Sequence, residues 1–176
     1  RTRHPILAAR AVMEHSPHVM MVGEGAETFA RLQNLEQVDP SYFFTERRWQ
    51  QLEQFLRTNN LPVPPRPANA PPAPRAQLTY PDDHQFGTVG VVAYDQHGNI
   101  AAGTSTGGTT GKRWGRVGDA PIIGAGTYAQ NGVCGVSATG TGEFFIRVGV
   151  ARDICARMEL RGESAQEAAD HVIAEV

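Results

Sequence analysis

The stretch Phe86-Gly87-Thr88-Val89-Gly90-Val91-Val92-Ala93 decides how the rest of this chain is interpreted. It follows a Pro-rich run, and its glycine–threonine pair opens an apolar run typical of a β-strand. When a chain is cut before a threonine, that residue carries both a hydroxyl nucleophile and a free α-amine, whose unperturbed pKa is roughly 7.7–8.0. The sequence therefore leads to the hypothesis that Gly87–Thr88 is a self-cleavage site and that Thr88 is the nucleophile.

The overall composition is that of an ordinary globular domain. The chain has 176 residues, of which 40% are hydrophobic and 19% are charged, and its formal net charge is −2. This balance lacks the basic excess that nucleic acid binding favours, and no apolar run approaches the roughly 20 residues of a membrane-spanning helix. We therefore expect neither a nucleic acid nor a membrane as a partner.

The two cysteines, Cys134 and Cys155, give neither a disulfide framework nor a metal-ligand spacing. Both are expected to be small buried apolar side chains, and no metal site is predicted in this chain. The sequence starts at Arg1 without a methionine. Part of the amino terminus is therefore expected to lie outside it, and a cytoplasmic location is expected, with a periplasmic one as the alternative.

Composition and periodicity divide the chain into three regions. Residues 1–60 have apolar residues at helical spacing, with Pro5 suited to a first helical turn and Thr45 suited to capping a later helix. Residues 61–87 are rich in proline and are predicted to be a mobile linker that ends at the cleavage site, rather than a ligand for a proline-binding module. Residues 88–176 are rich in glycine and carry both strand and helix patterns.

The glycine-rich region begins with a predicted hairpin. Strands over Thr88–Asp95 and Asn99–Thr106 flank a three-residue loop whose last residue, Gly98, suits the left-handed conformation that such loops need. Pairing the two residues that flank the loop places Thr88 directly opposite Thr106, so that two hydroxyls lie side by side at the open end. A two-residue loop would place Gly107 there instead.

Strands and helices alternate in the remainder of the chain. Strands are predicted over Pro121–Ala129 and Gly132–Ala138, followed by a helix after Thr139-Gly140-Thr141-Gly142 that Gly162 is expected to end. Ser164-Ala165-Gln166-Glu167 is a capping box that opens a last helix. The order of these elements indicates an α/β fold of the α+β type, with antiparallel sheets flanked by helices.

Motifs for nucleotide binding and for a serine triad fail at defining positions. Gly140-Thr141-Gly142 lies between a strand and a helix, but Phe145 stands where a dinucleotide loop has its third glycine. Lys112 lacks both the first glycine and the Ser/Thr of a P-loop. His97 is predicted in an exposed hairpin loop, so a triad with Ser105 is disfavoured.

Two short motifs allow both a structural and a functional interpretation. Arg116 and Asp119 lie three residues apart in a glycine-bounded loop, and spacing alone favours an exposed ion pair. The functional alternative is a clamp in which Arg116 binds the carboxylate and Asp119 binds the ammonium group of an amino acid. Thr139 and Gly140 end a strand before a helix, where they would either cap the helix or stabilise an oxyanion.

Four motifs in this order resemble one family. They are Phe86-Gly87-Thr88-Val89-Gly90, Thr104-Ser105-Thr106-Gly107-Gly108, Gly115-Arg116-Val117-Gly118-Asp119 and Ala138-Thr139-Gly140-Thr141-Gly142-Glu143. Together they are similar to the plant-type L-asparaginases, also called isoaspartyl peptidases, which are N-terminal-nucleophile (Ntn) hydrolases. The stretch from Val12 to Ala26 resembles the α subunit of this family, so the similarity covers nearly the whole chain apart from the Pro-rich linker.

This resemblance implies a fold and an assembly. The family folds as an αββα sandwich and is made as an inactive precursor that cuts itself into α and β subunits, which are expected to form a dimer of αβ units. Residues 1–60 would then be the carboxyl-terminal part of the α subunit, and residues 88–176 the amino-terminal part of the β subunit. No catalytic cofactor is implied, and the structural sodium site of the family would lie in a part of the α subunit that precedes this sequence.

The resemblance also implies roles for seven residues. Those implied in catalysis are Thr88 as nucleophile and α-amine base, Thr106 as an activating hydroxyl, and Thr139 and Gly140 as the oxyanion hole. Those implied in substrate binding are Arg116 for the α-carboxylate and Asp119 for the α-ammonium, together with Thr139, Gly140 and Gly142. The implied cleavage site is the bond between Gly87 and Thr88.

The implied activity is hydrolysis of isoaspartyl (β-aspartyl) peptides and of L-asparagine, with release of L-aspartate through an acyl-enzyme. The motif Thr104–Gly108 favours this branch over the glycosylasparaginases, which usually have asparagine before the second glycine. A glycosylasparaginase-like amidase and an unprocessed, non-catalytic relative that acts as a binding domain are the alternatives. L-Asparagine or an isoaspartyl dipeptide is thus the expected small-molecule partner.

The sequence departs from the family pattern in three places. Ala120 stands where the family usually has serine after the aspartate, which would reduce the support of Asp119. The opening strand with its His-Gly-Gly-Ala-Gly motif and the closing Gly-Gly-rich segment are both missing. The sandwich is therefore expected to be incomplete in this chain.

Overall fold

A computed structural model describes residues 1–72 and 87–176 of the chain. The described helices are Pro5–His15 (α1), Gly23–Leu32 (α2), Glu46–Thr58 (α3), Gly142–Val148 (α4), Val150–Arg161 (α5) and Ala165–Ile173 (α6), with a 3-10 turn at Pro40–Phe43. The described strands are Thr88–Tyr94 (β1), Ile100–Thr106 (β2), Thr127–Gln130 (β3) and Cys134–Ser137 (β4). Of the predicted linker, residues 73–86 lie outside the described residues.

The chain divides into two compact units. The first comprises Arg1–Ala11, the described part of Met21–Phe86, and Thr109–Arg116; the second comprises Val12–Met20, Gly87–Gly108 and Val117–Val176. Helices combined with small antiparallel sheets confirm the α/β class expected from the sequence. The division into an α-subunit part, a linker and a β-subunit part (1–60, 61–87 and 88–176) remains a prediction. The two units are defined by contacts between residues, and such contacts do not test where the chain is cut. No helix in the described ranges is both long and apolar enough to cross a bilayer.

The first unit is mainly helical, and the described part of its Pro-rich segment is held against α3. Thr45 caps α3, as the sequence predicts, by accepting a hydrogen bond from a backbone N–H of the first turn at 3.4 Å. Farther along, Arg66 forms an ion pair with Glu46 at 2.6 Å, and its guanidinium lies 4.7 Å from the centre of the Phe44 ring. The hydrogen bond from Arg66 lowers the pKa of Glu46. One arginine thus anchors the described part of the Pro-rich segment.

The second unit contains two hairpins, and the first has the register predicted from its loop. β1 and β2 pair antiparallel with Thr88 opposite Thr106, and Gly98 is left-handed at a φ of 85°. β3 and β4 also pair antiparallel, with Thr127 opposite Ser137. The prediction that the loop length brings two threonine hydroxyls together is therefore confirmed for the backbone.

Successive residues of β4 face different neighbours, as the pleat of a strand requires. Val136 packs against the core of the unit, and Cys134 is linked to α5. The core consists of Phe145, Val150, Ile154, Ala168 and Val172. Gly135 and Ser137 point the other way, toward β1 and β2. The unit is therefore layered, with helices on the β3–β4 hairpin and the β3–β4 hairpin on the β1–β2 hairpin.

Three expectations for this unit were wrong in detail. β3 begins at Thr127 rather than at Pro121, because residues 119–126 form turns in which four backbone N–H groups are already bonded. The single helix expected to end at Gly162 is two helices, because Gly149 is left-handed at a φ of 71°. Gly162 does end α5, and Ser164 and Glu167 form the predicted capping box.

The two cysteines also differ from the expectation, because they are bonded to each other. Cys134 and Cys155 are buried, as expected, but they form a disulfide that joins β4 to α5, with the two Cα atoms 5.7 Å apart. A pair separated by 21 residues carries no recognisable spacing motif. The packing of β4 on α5 brings the two side chains together, and sequence spacing does not encode that packing.

Candidate active site

Three threonine hydroxyls form a hydrogen-bonded chain at one end of the hairpins. Thr139 Oγ1 donates to Thr88 Oγ1 at 3.0 Å, and Thr88 Oγ1 donates to Thr106 Oγ1 at 3.0 Å. The Gly108 N–H donates to Thr106 Oγ1 at 3.1 Å. The register of the β1–β2 hairpin brings Thr88 and Thr106 together, because Thr88 is the first residue of β1 and Thr106 is the last residue of β2. Thr139 reaches the same point from two residues beyond β4.

The close approach of β1 to β4 explains how Thr139 reaches Thr88. Gly90 follows Thr88 by two residues, and Ser137 precedes Thr139 by two. A Cβ on Gly90 would lie 2.8 Å from the Cβ of Ser137. Val92 follows Gly90 by two residues, and Gly135 precedes Ser137 by two. A Cβ on Gly135 would lie 2.6 Å from a methyl carbon of Val92. These three contacts, each two residues apart on both strands, place β1 and β4 antiparallel across the interface between the hairpins. Glycine at two of the crossing points allows the backbones to come this close.

Asp119 is a buried carboxylate with one oxygen unpaired. Its exposure is 8%, and its Oδ2 has no hydrogen-bond partner among the residues that the structure describes. Its backbone carbonyl accepts hydrogen bonds from Ile122 N at 2.9 Å and from Gly126 N at 3.1 Å, which fixes the loop. Ala120 is also buried and carries no hydroxyl. Leaving a buried carboxylate oxygen unpaired is unfavourable unless a ligand supplies a donor.

The predicted pairing of Arg116 with Asp119 on one substrate remains a prediction. Arg116 belongs to the first unit and Asp119 to the second. The Arg116 backbone N–H donates to Arg113 O at 3.0 Å, so the residue is part of a turn. An exposed ion pair, the alternative favoured by spacing, would require an exposed Asp119, and this carboxylate is buried.

Of the two glycines after β4, Gly140 lies where a side chain would not fit, and Gly142 is buried. A Cβ on Gly140 would lie 2.8 Å from a carbon of the Phe145 ring, and Phe145 is itself a core residue. Gly142 is buried at the first position of α4. The residue that caps α4 is Thr141, which makes no side-chain cap hydrogen bond, whereas the hydroxyl of Thr139 is bonded to Thr88. Thr139 therefore does not cap α4, and the helix-capping alternative is wrong.

The aspartate of a possible serine triad, Asp95, is used in the hairpin loop. Asp95 accepts hydrogen bonds from His97 N at 2.8 Å and from Asn99 N at 2.9 Å, so it stabilises the hairpin loop. Hydrogen bonds from the Asn99 side chain and backbone are the main cause of the lowered pKa of Asp95. Ser105 lies between Thr104 and Thr106 in β2 and therefore projects to the opposite face. These contacts are inconsistent with a triad of Asp95, His97 and Ser105, as the sequence predicts.

Within residues 1–72 and 87–176, no three His, Cys, Asp or Glu side chains gather as a metal ligand set would. The sodium site that the family resemblance implies stays a prediction. Sequence reasoning also missed two hydroxyl residues beside the threonine chain, Thr104 and Ser137. Thr104 opens one of the four family motifs but was given no role, and the signal for Ser137 was its position two residues before Thr139.

Helices with small antiparallel sheets, together with three threonines joined at the end of a hairpin, agree with an α/β fold of the Ntn-hydrolase type. Comparison with known families gives a more specific result. The asparaginase family model known as asparaginase 2 matches residues 1–176, and the chain belongs to that family.

Individual relatives agree with this family. The isoaspartyl peptidase of Salmonella typhimurium is 49% identical over 173 residues, which cover 98% of this chain and 52% of that protein. The isoaspartyl peptidase of Escherichia coli is 48% identical over 173 residues, covering 98% of this chain and 51% of that protein. The plant-type L-asparaginase of Pyrococcus furiosus is 41% identical over 170 residues, covering 95% and 53%. The chain spans about half the length of the curated relatives it matches.

Proposed function

We propose that the full protein is a self-processing threonine hydrolase that cleaves isoaspartyl peptides and L-asparagine and releases L-aspartate. The observation that carries the proposal is the hydroxyl chain from Thr139 through Thr88 to Thr106, with each bond 3.0 Å long. Family membership and the names of the relatives, isoaspartyl peptidase and plant-type L-asparaginase, support the choice of substrates.

The first step of the proposal is self-cleavage. Thr88 Oγ1 attacks the carbonyl carbon of Gly87, the amide bond breaks, and the nitrogen of Thr88 takes up the proton, which leaves an ester. Water then hydrolyses the ester to a Gly87 carboxylate and a free Thr88 amine. A glycine before the bond supports this step, because it adopts the backbone geometry of the attack with the least steric hindrance.

In turnover, the Thr88 amine takes the proton from Oγ1, which attacks the side-chain carbonyl of asparagine or the β-linked carbonyl of the peptide. The amide nitrogen leaves with a proton as ammonia or as an amino acid. Water then attacks the acyl-enzyme and releases L-aspartate. Thr106 accepts a hydrogen bond from Thr88, which supports a role in orienting Oγ1. The steps as written use no cofactor.

Thr139 and Gly140 are proposed to stabilise the oxyanion. The support for Thr139 is that its hydroxyl already donates to Thr88 Oγ1 at 3.0 Å, beside the atom where the new bond forms. A donor of this kind is worth about 10²–10³ in kcat in other hydrolases. The buried, unpaired Oδ2 of Asp119 is proposed to bind the α-ammonium group of the substrate, and Arg116 its α-carboxylate. Gly142 is proposed to lie beside the same head group.

We further propose that cleavage yields α and β subunits of one precursor and that two αβ units associate. Denaturing electrophoresis of the purified full-length protein tests the first part. A fragment whose amino-terminal sequence reads Thr-Val-Gly-Val is the expected product. Mass measurement in solution tests the second part, and a single αβ unit would contradict it.

The substitution Thr88→Ala in the full-length precursor tests the nucleophile. We expect it to leave the chain uncut and without measurable release of aspartate from either substrate. Thr110→Ala makes the same chemical change at an exposed residue and should be cut and active like the wild type. A cleaved, active Thr88→Ala variant would refute the assignment. An intact and inactive wild type would favour the binding-domain alternative.

A further inference from the structure

A second pair of hydroxyls joins the two hairpins next to the threonine chain. Thr104 Oγ1 and Ser137 Oγ lie 2.6 Å apart, and Thr104 Oγ1 donates to the Gly126 carbonyl at 3.1 Å. Because a carbonyl oxygen only accepts, the single hydroxyl proton of Thr104 is committed to Gly126. Ser137 must therefore donate to Thr104. Both protons of this pair, which we call the hydroxyl bridge, have defined acceptors.

The hydroxyl bridge lies one step along the strands from the threonine chain. Thr104 precedes Thr106 on the same face of β2, and its cross-strand partner Gly90 follows Thr88 on the same face of β1. Ser137 precedes Thr139 by two residues and occupies the space above Gly90. The bridge thus connects the strand pair that carries Thr88 and Thr106 to the segment that carries Thr139.

The bridge also reaches the loop of Asp119. Gly126 O accepts from Thr104 Oγ1 at 3.1 Å and from Ala138 N at 3.0 Å, while Gly126 N donates to the Asp119 carbonyl at 3.1 Å. A Cβ on Gly126 would lie 2.8 Å from the Asp119 carbonyl carbon, so the two backbones are in close contact. Thr104 is therefore bonded to the carbonyl of a residue whose own N–H is bonded to Asp119.

We infer that Thr104 and Ser137 are positioning residues that fix the separation of the two hairpins and so hold Thr139 Oγ1 on Thr88 Oγ1. This inference rests on the proposed function for its kinetic consequence, but its structural consequence stands alone. Hydrogen bonds of Asn131 join the hairpins at the opposite end. At the Thr88 end, the close contact at Gly90 sets only the minimum separation of β1 and β4. The bridge supplies the attraction that keeps the 3.0 Å contact closed.

The kinetic test uses the full-length protein, with rates expressed per mole of Thr88 amino terminus. Ser137→Ala removes one bond of the bridge, and we expect kcat to fall about tenfold; Thr104→Val removes both bonds without changing shape, and we expect about 100-fold. Thr104→Ser keeps the hydroxyl and should recover kcat to within about threefold of the wild type. KM should stay within about threefold in Ser137→Ala, because this variant leaves the bond from Thr104 to Gly126, next to the Asp119 loop, intact.

Ser105→Ala is the matched control, because this residue is adjacent to Thr104 on the opposite face of β2. We expect its kcat to equal that of the wild type. A residue that only stabilises the fold would lower the unfolding temperature and leave the rate per processed site unchanged. Unchanged kcat in both Ser137→Ala and Thr104→Val would therefore overturn the inference, as would an equal loss in Ser105→Ala.

A structural measurement separates this inference from the proposed function. In a crystal structure of Ser137→Ala, the distance from Thr139 Oγ1 to Thr88 Oγ1 should exceed hydrogen-bond range, against 3.0 Å here. An unchanged distance in that variant and in Thr104→Val would overturn the inference. If the wild type releases no aspartate from either substrate, the proposed function fails, and this distance still decides the role of the bridge.

Discussion

The two hairpins of the second unit differ in what determines them. The β1–β2 hairpin is determined by its own loop, where Gly98 is left-handed and Asp95 accepts hydrogen bonds from two loop N–H groups. The β3–β4 hairpin has only four residues in each strand, and its surroundings hold it. Asn131 at its turn accepts a hydrogen bond from Ile100 N at 2.7 Å, and Cys134 is joined to α5.

This difference shows how a site can combine a locally specified half with a half that depends on packing. The locally specified hairpin carries Thr88 and Thr106, which its register alone brings together. The other hairpin brings Thr139 to them, and its placement depends on glycines and hydroxyls at the interface. Substitutions in the two hairpins should therefore affect activity and stability in different ways.

The largest effect should come from the end of the packed hairpin. Thr139→Val keeps the side-chain shape and removes the donor to Thr88 Oγ1, so we expect kcat to fall about 10²–10³-fold at nearly constant stability. Steady-state kinetics and thermal unfolding of the full-length protein measure both quantities. Thr141→Val is the control, because this nearby hydroxyl makes no cap hydrogen bond. Equal losses in the two variants would assign the effect to the loop backbone instead.

The next effect concerns the interface between the hairpins. Gly90→Ala would place a Cβ 2.8 Å from the Cβ of Ser137, and we expect the overlap to reduce the free energy of unfolding by about 1–3 kcal/mol. Gly25→Ala in α2 meets no atom within 4 Å and should be neutral or stabilising by about 0.4–1 kcal/mol. Urea unfolding measures both. A neutral Gly90→Ala would show that the hairpins can separate without cost.

The two turns offer the most direct comparison of the hairpins. Gly98 and Gly132 are left-handed at φ values of 85° and 76°, and a Cβ at either position would meet no atom closer than 3.9 Å. Alanine should therefore reduce the free energy of unfolding at each turn by about 1–2 kcal/mol through backbone conformation alone. Asparagine, which tolerates this conformation better, should lose less at both sites. A loss confined to one turn would contradict this account.

The smallest effect should appear as a pH dependence of the β1–β2 hairpin. The pKa of Asp95 is lowered in the folded state by hydrogen bonds from Asn99, so its stabilising contribution is present above its unfolded pKa, roughly 3.9. That contribution is lost as the pH falls through the lower folded value. We expect Asp95→Asn to reduce the unfolding temperature at pH 7 and to narrow its difference from the wild type in acid. A difference that does not change with pH would remove the carboxylate from the explanation.

The sequence predicted the locally determined half of the site well. The length of the loop and a glycine at its end were enough to place Thr88 opposite Thr106. The cap of α3 and the capping box of α6 follow the same logic, because each depends on residues within one turn of helix. Such features need no knowledge of the tertiary structure.

The packed half could be predicted only in outline. The start of β3 was misplaced because the turns after Asp119 use the backbone N–H groups that a longer strand would need. The Cys134–Cys155 disulfide and the hydroxyl bridge depend on contacts between elements far apart in sequence. The roles of Thr139, Gly140, Arg116 and Asp119 came from the family resemblance, since spacing alone left their alternatives open.

The position of Thr88 as the first residue of β1 has a consequence for the polypeptide upstream of it. Every cross-strand partner in the β1–β2 ladder, from Thr88↔Thr106 to Tyr94↔Ile100, lies at or after residue 88. A break in the main chain immediately before Thr88 would leave every cross-strand pair of the ladder in place. The new amino terminus at Thr88 would form in its final position, and it would need no rearrangement before it could act.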